Sequence, residues 1–364
     1  MEEGSCSSKL SAFLAFLLEG KKQMGLTVGL VYNLGKYDPP EDGEPPDVNA
    51  ELDSETTVMA VADALRQAGH DVAFVEADET ALDALRAHHP DICFNIAEGL
   101  RGDSRESQLP AVMELLGIPY TGSNVLSLAM ALDKPMAKRV FTYHRVPTPK
   151  FEVYEIGQPV HKRSFKFPLF VKPAREGSSK GISPASMVAN LHELRRQVEI
   201  MHEEYHQAAL VEEFLPGREF TVGILGNQNH HFFPITEINF APCPEDHHAI
   251  YSYQFKKEWD GEEYYFLPAP LSTDERARLC KLALAAFKAM NCYDIGRVDI
   301  RLDSEGQPHV MEINPLPGLA PGFSDLPRMA DAEGMGYHGL INNILGAALD
   351  RYGMLDLRVA SRTA

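Results

Sequence analysis

Gly296-Arg-Val-Asp-Ile-Arg-Leu-Asp-Ser-Glu-Gly-Gln-Pro-His-Val-Met-Glu-Ile-Asn314 holds two runs of alternating side chains, Gly296 to Leu302 and His309 to Asn314, joined by the turn sequence Ser304-Glu-Gly-Gln307. A period of two is the signature of strands, so Arg297 and Asp299 share one face, as do Glu312 and Asn314. If the tight turn pairs the runs antiparallel, all four converge on one polar surface. Two carboxylates and an amide oxygen suit a hard cation such as Mg²⁺, which takes oxygen ligands at about 2.1 Å and bridges nucleotide phosphates. Arginine adds a donor fork that keeps its charge at any working pH. The plain alternative for the same spacing is a solvated hairpin face with an exposed ion pair.

Upstream, Arg175-Glu-Gly-Ser-Ser-Lys-Gly-Ile182 follows a strand that ends at Lys172. Its glycines let backbone N–H groups approach phosphate oxygens, Ser178 and Ser179 add hydroxyls, and Lys172 adds a point charge. A phosphate-covering loop and an ordinary glycine turn both fit this stretch. No G-x-x-x-x-G-K-[ST] sequence occurs, which disfavours a P-loop fold.

Outward from these segments the chain changes character. Its first part alternates strand and helix signals: a buried β run from Leu26 to Tyr32, a proline-rich loop from Lys36 to Asn49, a helix from Glu55 to Gln67 stopped by Gly69, and strands at Asp71 to Val75 and Asp91 to Asn95. That order implies a parallel sheet whose functional loops lie at the carboxyl ends of its strands, where Ile96 to Glu106 is rich in charge and glycine. Helices are expected at Leu109 to Leu116 and Val125 to Leu132. After Pro147 and Pro149 the strands read as antiparallel: Phe167 to Lys172, Leu210 to Phe214, Glu219 to Leu225 and His231 to Ile238, with one helix around Leu191 to Tyr205. Helices from Thr273 to Met290 and Tyr337 to Tyr352 flank the hairpin. The fold class is therefore α/β, becoming α+β in its second part.

The formal net charge of −18 repels phosphate backbones, and no run supplies a basic groove, so nucleic acid is not an expected partner. Five widely spaced cysteines without a C-x-x-C pair argue against a disulfide framework and a zinc site, and for a reducing, cytoplasmic setting. No apolar stretch approaches the roughly 18 to 20 residues that cross a bilayer, so no membrane is expected. Leu10 to Leu18 is short and lacks a cleavage site, and residues 1–23 read as a poorly ordered tail before Met24. The histidine pairs His88-His89, His230-His231 and His247-His248 point apart on any regular element and are poor chelators. Gly122-Ser123, at a strand-to-helix turn, suits an anion at the helix N-terminus, but nothing pairs it with a base.

In order along the chain, Pro119-Tyr-Thr-Gly-Ser123, Asp133-Lys134 with Lys138, Phe170-Val-Lys-Pro173, Arg175-Glu-Gly-Ser-Ser179, Val211-Glu-Glu-Phe-Leu215 with Gly217 and Glu219-Phe-Thr221, Gly296-Arg-Val-Asp299, and Glu312-Ile-Asn-Pro-x-Pro-Gly318 resemble the D-alanine:D-alanine ligase group of ATP-grasp enzymes, from Met24 to Tyr352. After the tail at 1–23, the resemblance implies a Rossmann-like domain at 24–130 and ATP-grasp lobes at 131–222 and 223–364. It implies an ADP-forming ligase that activates a carboxylate as an acyl phosphate and joins it to an amine, with ATP and two Mg²⁺ ions (Mn²⁺ as a substitute), as a homodimer.

Residue by residue, Lys134 and Lys172 would contact ATP, with Ser178 and Ser179 on its phosphates. Glu212, Glu213, Phe214 and Leu215 would read the adenine edge, and Glu219 would take the ribose hydroxyls. Lys256, in Tyr253-Gln-Phe-Lys256, would meet the terminal phosphate. Asp299, Glu312 and Asn314 would hold magnesium. Arg297 would stabilise the tetrahedral transition state, with Lys256 and Ser178 completing the catalytic set, and Arg297, Gly318, Ser324 and Glu55 would contact substrate.

The departures from the family fall on the substrate side. Leu319-Ala-Pro-Gly-Phe-Ser324-Asp325 stands where relatives carry a serine-rich stretch, Lys257 replaces a tyrosine, and Asn95-Ile-Ala-Glu-Gly99 with Arg105-Glu106 replaces the histidine loop of the first substrate. The expectation is a ligase with a diverged substrate pocket. A true D-alanine:D-alanine ligase, an inactive ATP-binding regulator and an ATP-grasp kinase are the alternatives.

Overall fold

The computed structural model describes residues 25–35, 47, 52–161, 166–244, 250–252, 255 and 261–355. The expectations for the 1–23 tail, Lys256 and Lys257 lie outside these residues.

The amino-terminal part is the expected parallel unit: β1 (Thr27–Tyr32), α1 (Glu55–Gln67), β2 (Asp71–Glu76), α2 (Ala81–His88) and β3 (Ile92–Asn95), in the sheet order β2-β1-β3. Ser54 caps α1 by accepting from the Thr57 N–H, and Val58, Val61, Ala62 and Leu65 form its buried stripe. Next come α3 (Gln108–Leu116), α4 (Val125–Leu132) and α5 (Lys134–Tyr143). The last of these escapes a reading of the sequence because Pro135 looks like a break. It lies instead in the first turn, where no N–H is needed, and the Asp133 carboxylate accepts from the Met136 N–H at 2.8 Å.

A four-stranded antiparallel sheet follows, in the order β4-β7-β5-β6, from β4 (Phe151–Tyr154), β5 (Leu169–Pro173), β6 (Met187–Val188) and β7 (Ala209–Glu213), with α6 (Leu191–Glu203) between the last two in sequence. Residues 214–218 lead into a six-stranded sheet ordered β11-β10-β8-β12-β13, with β9 on β8. Its strands are β8 (Glu219–Leu225), β9 (His231–Phe232), β10 (Thr236–Ile238), β11 (Tyr265–Phe266), β12 (Ile295–Leu302) and β13 (Pro308–Asn314), and α7 (Thr273–Ala289) connects β11 to β12. The single strand expected over 231–238 is broken at Pro234, which has no N–H for a ladder. β8 runs unbroken through 222/223, the boundary expected between lobes, so we propose the 214–218 connector as that boundary.

The chain closes with α8 (Asp325–Ala332), which the sequence reading did not foresee, and α9 (Gly336–Arg351). Leu340, Ile341, Ile344 and Leu345 of α9 share one core with Val28 and Leu30 of β1 and with Val58 and Leu65 of α1. Burying such side chains is worth about 1.5–3 kcal/mol each. Helix α9 is thereby held against the first sheet.

Candidate active site

β12 and β13 pair antiparallel, with Asp299 opposite Glu312 and Arg297 opposite Asn314. A register irregularity follows directly after Asp299. The Arg297 guanidinium lies along Asp299, donating from Nε to Oδ1 at 3.2 Å and from Nη2 to Oδ2 at 2.9 Å. Its Nη1 faces Asp325 Oδ2 at 3.5 Å, a contact the sequence reading missed. Thr221 of β8, across the ladder from Asp299, donates its hydroxyl to Asp299 Oδ1 at 3.0 Å. Burial works against the charge on Arg297, but Asp299 and Asp325 more than offset it and hold the guanidinium protonated. Burial, reinforced by Glu312, raises the Asp299 carboxyl above its ordinary range despite Arg297.

Lys134, in the first turn of α5, comes to 3.7 Å from Glu312 and donates to the Glu176 carbonyl. One turn on, Lys138 forms an ion pair with Glu212 of β7, and Lys172 of β5 meets the other Glu212 oxygen at 2.9 Å. The three side chains are almost wholly buried. Burial opposes the Glu212 charge, yet the two ammonium groups prevail and hold the carboxyl below its usual range. Burial, together with the charge of Lys172, pushes Lys138 down to about 8, against the pull of Glu212. Lys138 also donates to Thr148, whose hydroxyl donates to the Val310 carbonyl at 2.8 Å, linking the buried charges to β13.

The loop after β5 is held at both ends and strained in the middle. Ser178 and Ser179 adopt φ of 48° and 61°, the left-handed region that non-glycine residues rarely occupy and that clusters at functional sites. Ser179 Oγ donates to the Tyr251 carbonyl at 3.0 Å. Gly181 has φ of 71°, and a Cβ there would come within 2.6 Å of Pro173. Glu176 anchors the loop: Lys180 Nζ lies 2.7 Å from Oε2, Gln207 donates to Oε1 at 2.7 Å, and Arg105 reaches Oε2 at 3.4 Å. Arg105 Nη1 also donates to the Arg175 carbonyl, so the loop following β3 meets the serine loop. A cavity of about 340 Å³ lies where they meet, lined by Gly99, Arg101, Arg105, Arg175 and Lys180 among others.

The remaining expected residues are distributed as follows. The Glu219 carboxylate is engaged by Arg301 Nη1 at 2.8 Å, and that guanidinium stands over the Phe214 ring. Leu215 is buried, and Glu213 is in contact with exposed Lys150. Asn314 Oδ1 accepts from the Leu316 N–H at 2.9 Å. A Cβ on Gly318 would lie 3.0 Å from Ser324 Oγ, so these two are adjacent, and Ser324 Oγ accepts from the Ala320 N–H. Glu55 is exposed in the first turn of α1, while nearby Asp53 is a half-buried carboxyl, pushed up to about 7 by the loss of solvent around it. The turn at Gly122-Ser123 does bind an anion, but an internal one: the Gly122 N–H donates to Asp294 Oδ2 at 2.9 Å.

The family model described as D-ala D-ala ligase C-terminus matches residues 144–346, more than half of the chain. The chain belongs to the D-alanine–D-alanine ligase family. Among its relatives, the D-alanine–D-alanine ligase of Bordetella avium is 35% identical over 291 residues, covering 79% of this chain and 87% of that protein. The D-alanine–D-alanine ligase of Syntrophotalea carbinolica is 33% identical over 296 residues, covering 80% and 90%. An uncharacterised protein of Sinorhizobium fredii, y4sG, is 34% identical over 302 residues, covering 80% and 87%. In fold, the D-alanine–D-alanine ligase of Bacillus anthracis complexed with ATP superposes with a TM-score of 0.69 at 23% identity, over 93% of this chain and all of that one. As a member of the D-alanine–D-alanine ligase family, the protein is an ATP-grasp ligase that uses ATP on small-molecule substrates. Among the described residues, no helix is long and apolar enough to cross a membrane.

Proposed function

We propose that this ligase activates a small carboxylate with ATP as an acyl phosphate and joins it to an amine, releasing ADP and phosphate, on a substrate pair other than two D-alanines. The observation that carries this reading is the pairing of Asp299 with Glu312, flanked by Arg297 on one side and Lys134 on the other. No trio of His, Cys, Asp or Glu side chains poised for a metal occurs among the described residues. Two carboxylates and the Asn314 amide still fit Mg²⁺ or Mn²⁺, since such ions at nucleotide sites take few protein ligands and complete their shell with phosphate oxygens and water. Asp299, Glu312 and Asn314 would hold two such ions, which supply charge neutralisation during phosphoryl transfer.

The chain's own residues do the positioning. Lys134 and Lys172 reach toward ATP, with Lys172 and Lys138 set in place by Glu212. The Ser178 and Ser179 loop covers the phosphates. Residues 212–215 form the edge read by adenine, Glu219 takes the ribose, and Lys256 meets the terminal phosphate. Arg297 supplies a fixed positive charge to the oxyanion formed when the amine attacks the acyl phosphate. Gly318 and Ser324 border the acceptor, and Glu55, on its exposed turn, the donor. The reading takes the protein as a homodimer, as its family resemblance implies, in the cytoplasmic setting that its cysteine usage suggests.

The case against a D-alanine pair rests on Pro321, Gly322 and Phe323, which offer no side-chain donor to a carboxylate. The names of the relatives from Bordetella avium and Syntrophotalea carbinolica favour the second reading, D-alanyl-D-alanine synthesis. The test is phosphate release from ATP and Mg²⁺ over pairs of D- and L-amino acids and small carboxylates. Release that requires both partners supports the ligase. A phosphorylated carboxylate accumulating without an amine would make it a kinase, and no release with any pair would leave an ATP-binding protein. D-alanine alone matching the best pair would establish the second reading.

A further inference from the structure

Strand alternation puts Arg301 on the face of β12 that also carries Arg297 and Asp299. Across the ladder on β8 the partners of Arg297, Asp299 and Arg301 are Gly223, Thr221 and Glu219, in an unbroken register. One strand face therefore runs from the guanidinium assigned to the transition state, through the carboxylate assigned to magnesium, to a second guanidinium that the proposed reaction does not use. Arg301 Nη1 donates to Glu219 Oε2 at 2.8 Å, and the two side chains are only 7% and 14% exposed. The guanidinium carbon lies 5.0 Å from the centre of the Phe214 ring and 5.5 Å from that of Phe240. Burial draws Arg301 below its ordinary value and Glu219 pulls it back, so the pair is a charged one.

The connector between the two sheets is fastened to the same end of β12. The Gly217 N–H donates to the Leu302 carbonyl and the Leu302 N–H to the Arg218 carbonyl, each at 2.9 Å. A Cβ on Gly217 would come within 2.5 Å of that Leu302 oxygen, so only glycine allows this approach. Phe214, expected at the adenine edge, and Glu219, expected on the ribose, are thus set by one strand end. Burial works against the charge of Lys172, while Glu212, Glu312 and Glu219 hold it above its ordinary value, so Glu219 also acts on a lysine assigned to ATP.

A carboxylate that takes ribose hydroxyls must keep its charge, keep its orientation and not repel the phosphates of the same nucleotide. A largely buried carboxylate without a cation would be driven toward its neutral form. Arg301 neutralises Glu219 locally and fixes its direction. A carboxylate offers about four acceptor positions, so one guanidinium N–H leaves capacity for sugar hydroxyls.

We propose that Arg301 is a positioning residue that holds Glu219 for the ribose hydroxyls and thereby makes this ligase select ribonucleotides over deoxyribonucleotides. The proposal rests on the assignment of Glu219 to the ribose made above, and it is measured by nucleotide binding without turnover.

The experiment is calorimetric titration of the full-length protein in Mg²⁺ with ADP, 2′-deoxy-ADP and 3′-deoxy-ADP. Wild-type protein is expected to bind ADP at least about tenfold more tightly than the weaker of the two deoxy analogues, the usual worth of a hydrogen bond to a charged acceptor. In Arg301→Met the preference should fall below about threefold, chiefly through loss of ADP affinity, whereas Arg301→Lys, which keeps a charge for Glu219, should retain about fivefold or more. Glu219→Gln should also bring the preference below about threefold. The double variant Arg301→Met/Glu219→Gln strands no buried charge and carries the test even if Arg301→Met does not fold. Its ADP affinity should match that of Glu219→Gln within about threefold, because Arg301 acts through the carboxylate already removed. A further loss in the double variant overturns the proposal, as does a wild-type protein without the preference. A merely structural Arg301 would weaken all three nucleotides equally in Arg301→Met and leave their ratio unchanged, which also overturns it. If Glu219→Gln abolishes the preference and Arg301→Met keeps it, the proposal falls and the Glu219 assignment stands. If Glu219→Gln keeps it, both fall.

Discussion

Asp299 and Glu312 stand directly opposite one another on β12 and β13, each with a cation at its flank: Arg297 at 2.9 Å from Asp299, and Lys134 at 3.7 Å from Glu312. Two facing carboxylates raise each other's proton affinity, and a dication between them reverses that effect. Glu312→Gln keeps the shape and removes one charge. Turnover should fall by about 10²–10³-fold, the usual cost of losing one transition-state electrostatic partner. The thermal midpoint should shift by no more than about 2 °C, because Glu312 is partly exposed. Turnover near the wild-type level in a steady-state phosphate assay would remove Glu312 from the metal site.

Glu212 holds Lys138 and Lys172 in place from a fully buried position. Glu212→Gln leaves two buried ammonium groups sharing one neutral amide, and should destabilise the fold by about 3–5 kcal/mol in urea unfolding at pH 7. The folded carboxyl titrates below its ordinary value of 4.5. Its stabilising contribution is therefore fully present above that value and is lost as pH falls through the lower, folded one. The gap between wild type and variant should narrow in acid below about pH 4. A gap independent of pH would show that Glu212 acts by packing rather than by charge.

Ordering of the serine loop by nucleotide is the third expectation. Its strained φ angles at Ser178 and Ser179 are tolerable only if something offsets them, and phosphate oxygens are suitable acceptors for its N–H groups. Hydrogen exchange across Arg175 to Ile182 should slow by at least about tenfold with ATP and Mg²⁺. Unchanged exchange would mean that the loop is set by Glu176 and Gly181 alone.

How far these features could be read from the sequence depends on the range of the interaction. The Asp299 and Glu312 face was legible because strand alternation and a tight turn are local rules, and the ladder has the register they imply. The serine loop was legible for the same reason, as glycine and serine follow directly on a strand. Helix α5 was hidden by Pro135, whose meaning depends on whether Asp133 caps the helix. The role of Lys138 was open to no local rule, since Lys138 lies on α5 and Glu212 reaches it from β7, more than 70 residues further along the chain. Asp325 lies in the segment that departs from the family, and no local pattern gives it a partner. Its contact with Arg297 depends on the path of residues 318–324, which follow no period.

The half-buried Asp53 carboxyl gives a pH signature of opposite sign. Its folded value is pushed up from 3.8 to about 7 by burial, so between those values the folded state binds more protons than the unfolded. Stability is then lost as pH rises through this window, and the penalty is constant above it. Asp53→Asn removes the penalty. The variant's advantage in urea unfolding should grow by roughly 2–3 kcal/mol between pH 4.5 and pH 8. An advantage that stays constant, or that shrinks as pH rises, would show Asp53 to be ionised in the fold at all these pH values.

The last prediction concerns the joint between the final helix and the rest of the chain. Arg351, at the end of α9, reaches Asp294 from Nη2 at 2.7 Å and from Nε at 3.0 Å, and also donates to the carbonyls of Tyr120 and Gly122. Asp294 has no exposure at all, whereas the Arg351 side chain is 18% exposed. The two partners should therefore respond unequally to loss of the other. Arg351→Ala strands a buried carboxylate that keeps, among the described residues, the Asn227 amide and the Gly122 N–H as donors, and should cost about 3–5 kcal/mol. In Asp294→Asn the site keeps its shape, the amide oxygen can still accept, and Arg351 retains two carbonyls and a route to water, so the cost should be about half as large or less. Urea unfolding of both variants decides the matter, with ADP affinity measured alongside and expected to hold because the latch lies away from the paired carboxylates. Equal costs would mean that Asp294 is not buried as a charge, and a larger cost for Asp294→Asn would place the energetic weight on the donors from Asn227 and Gly122 rather than on the arginine.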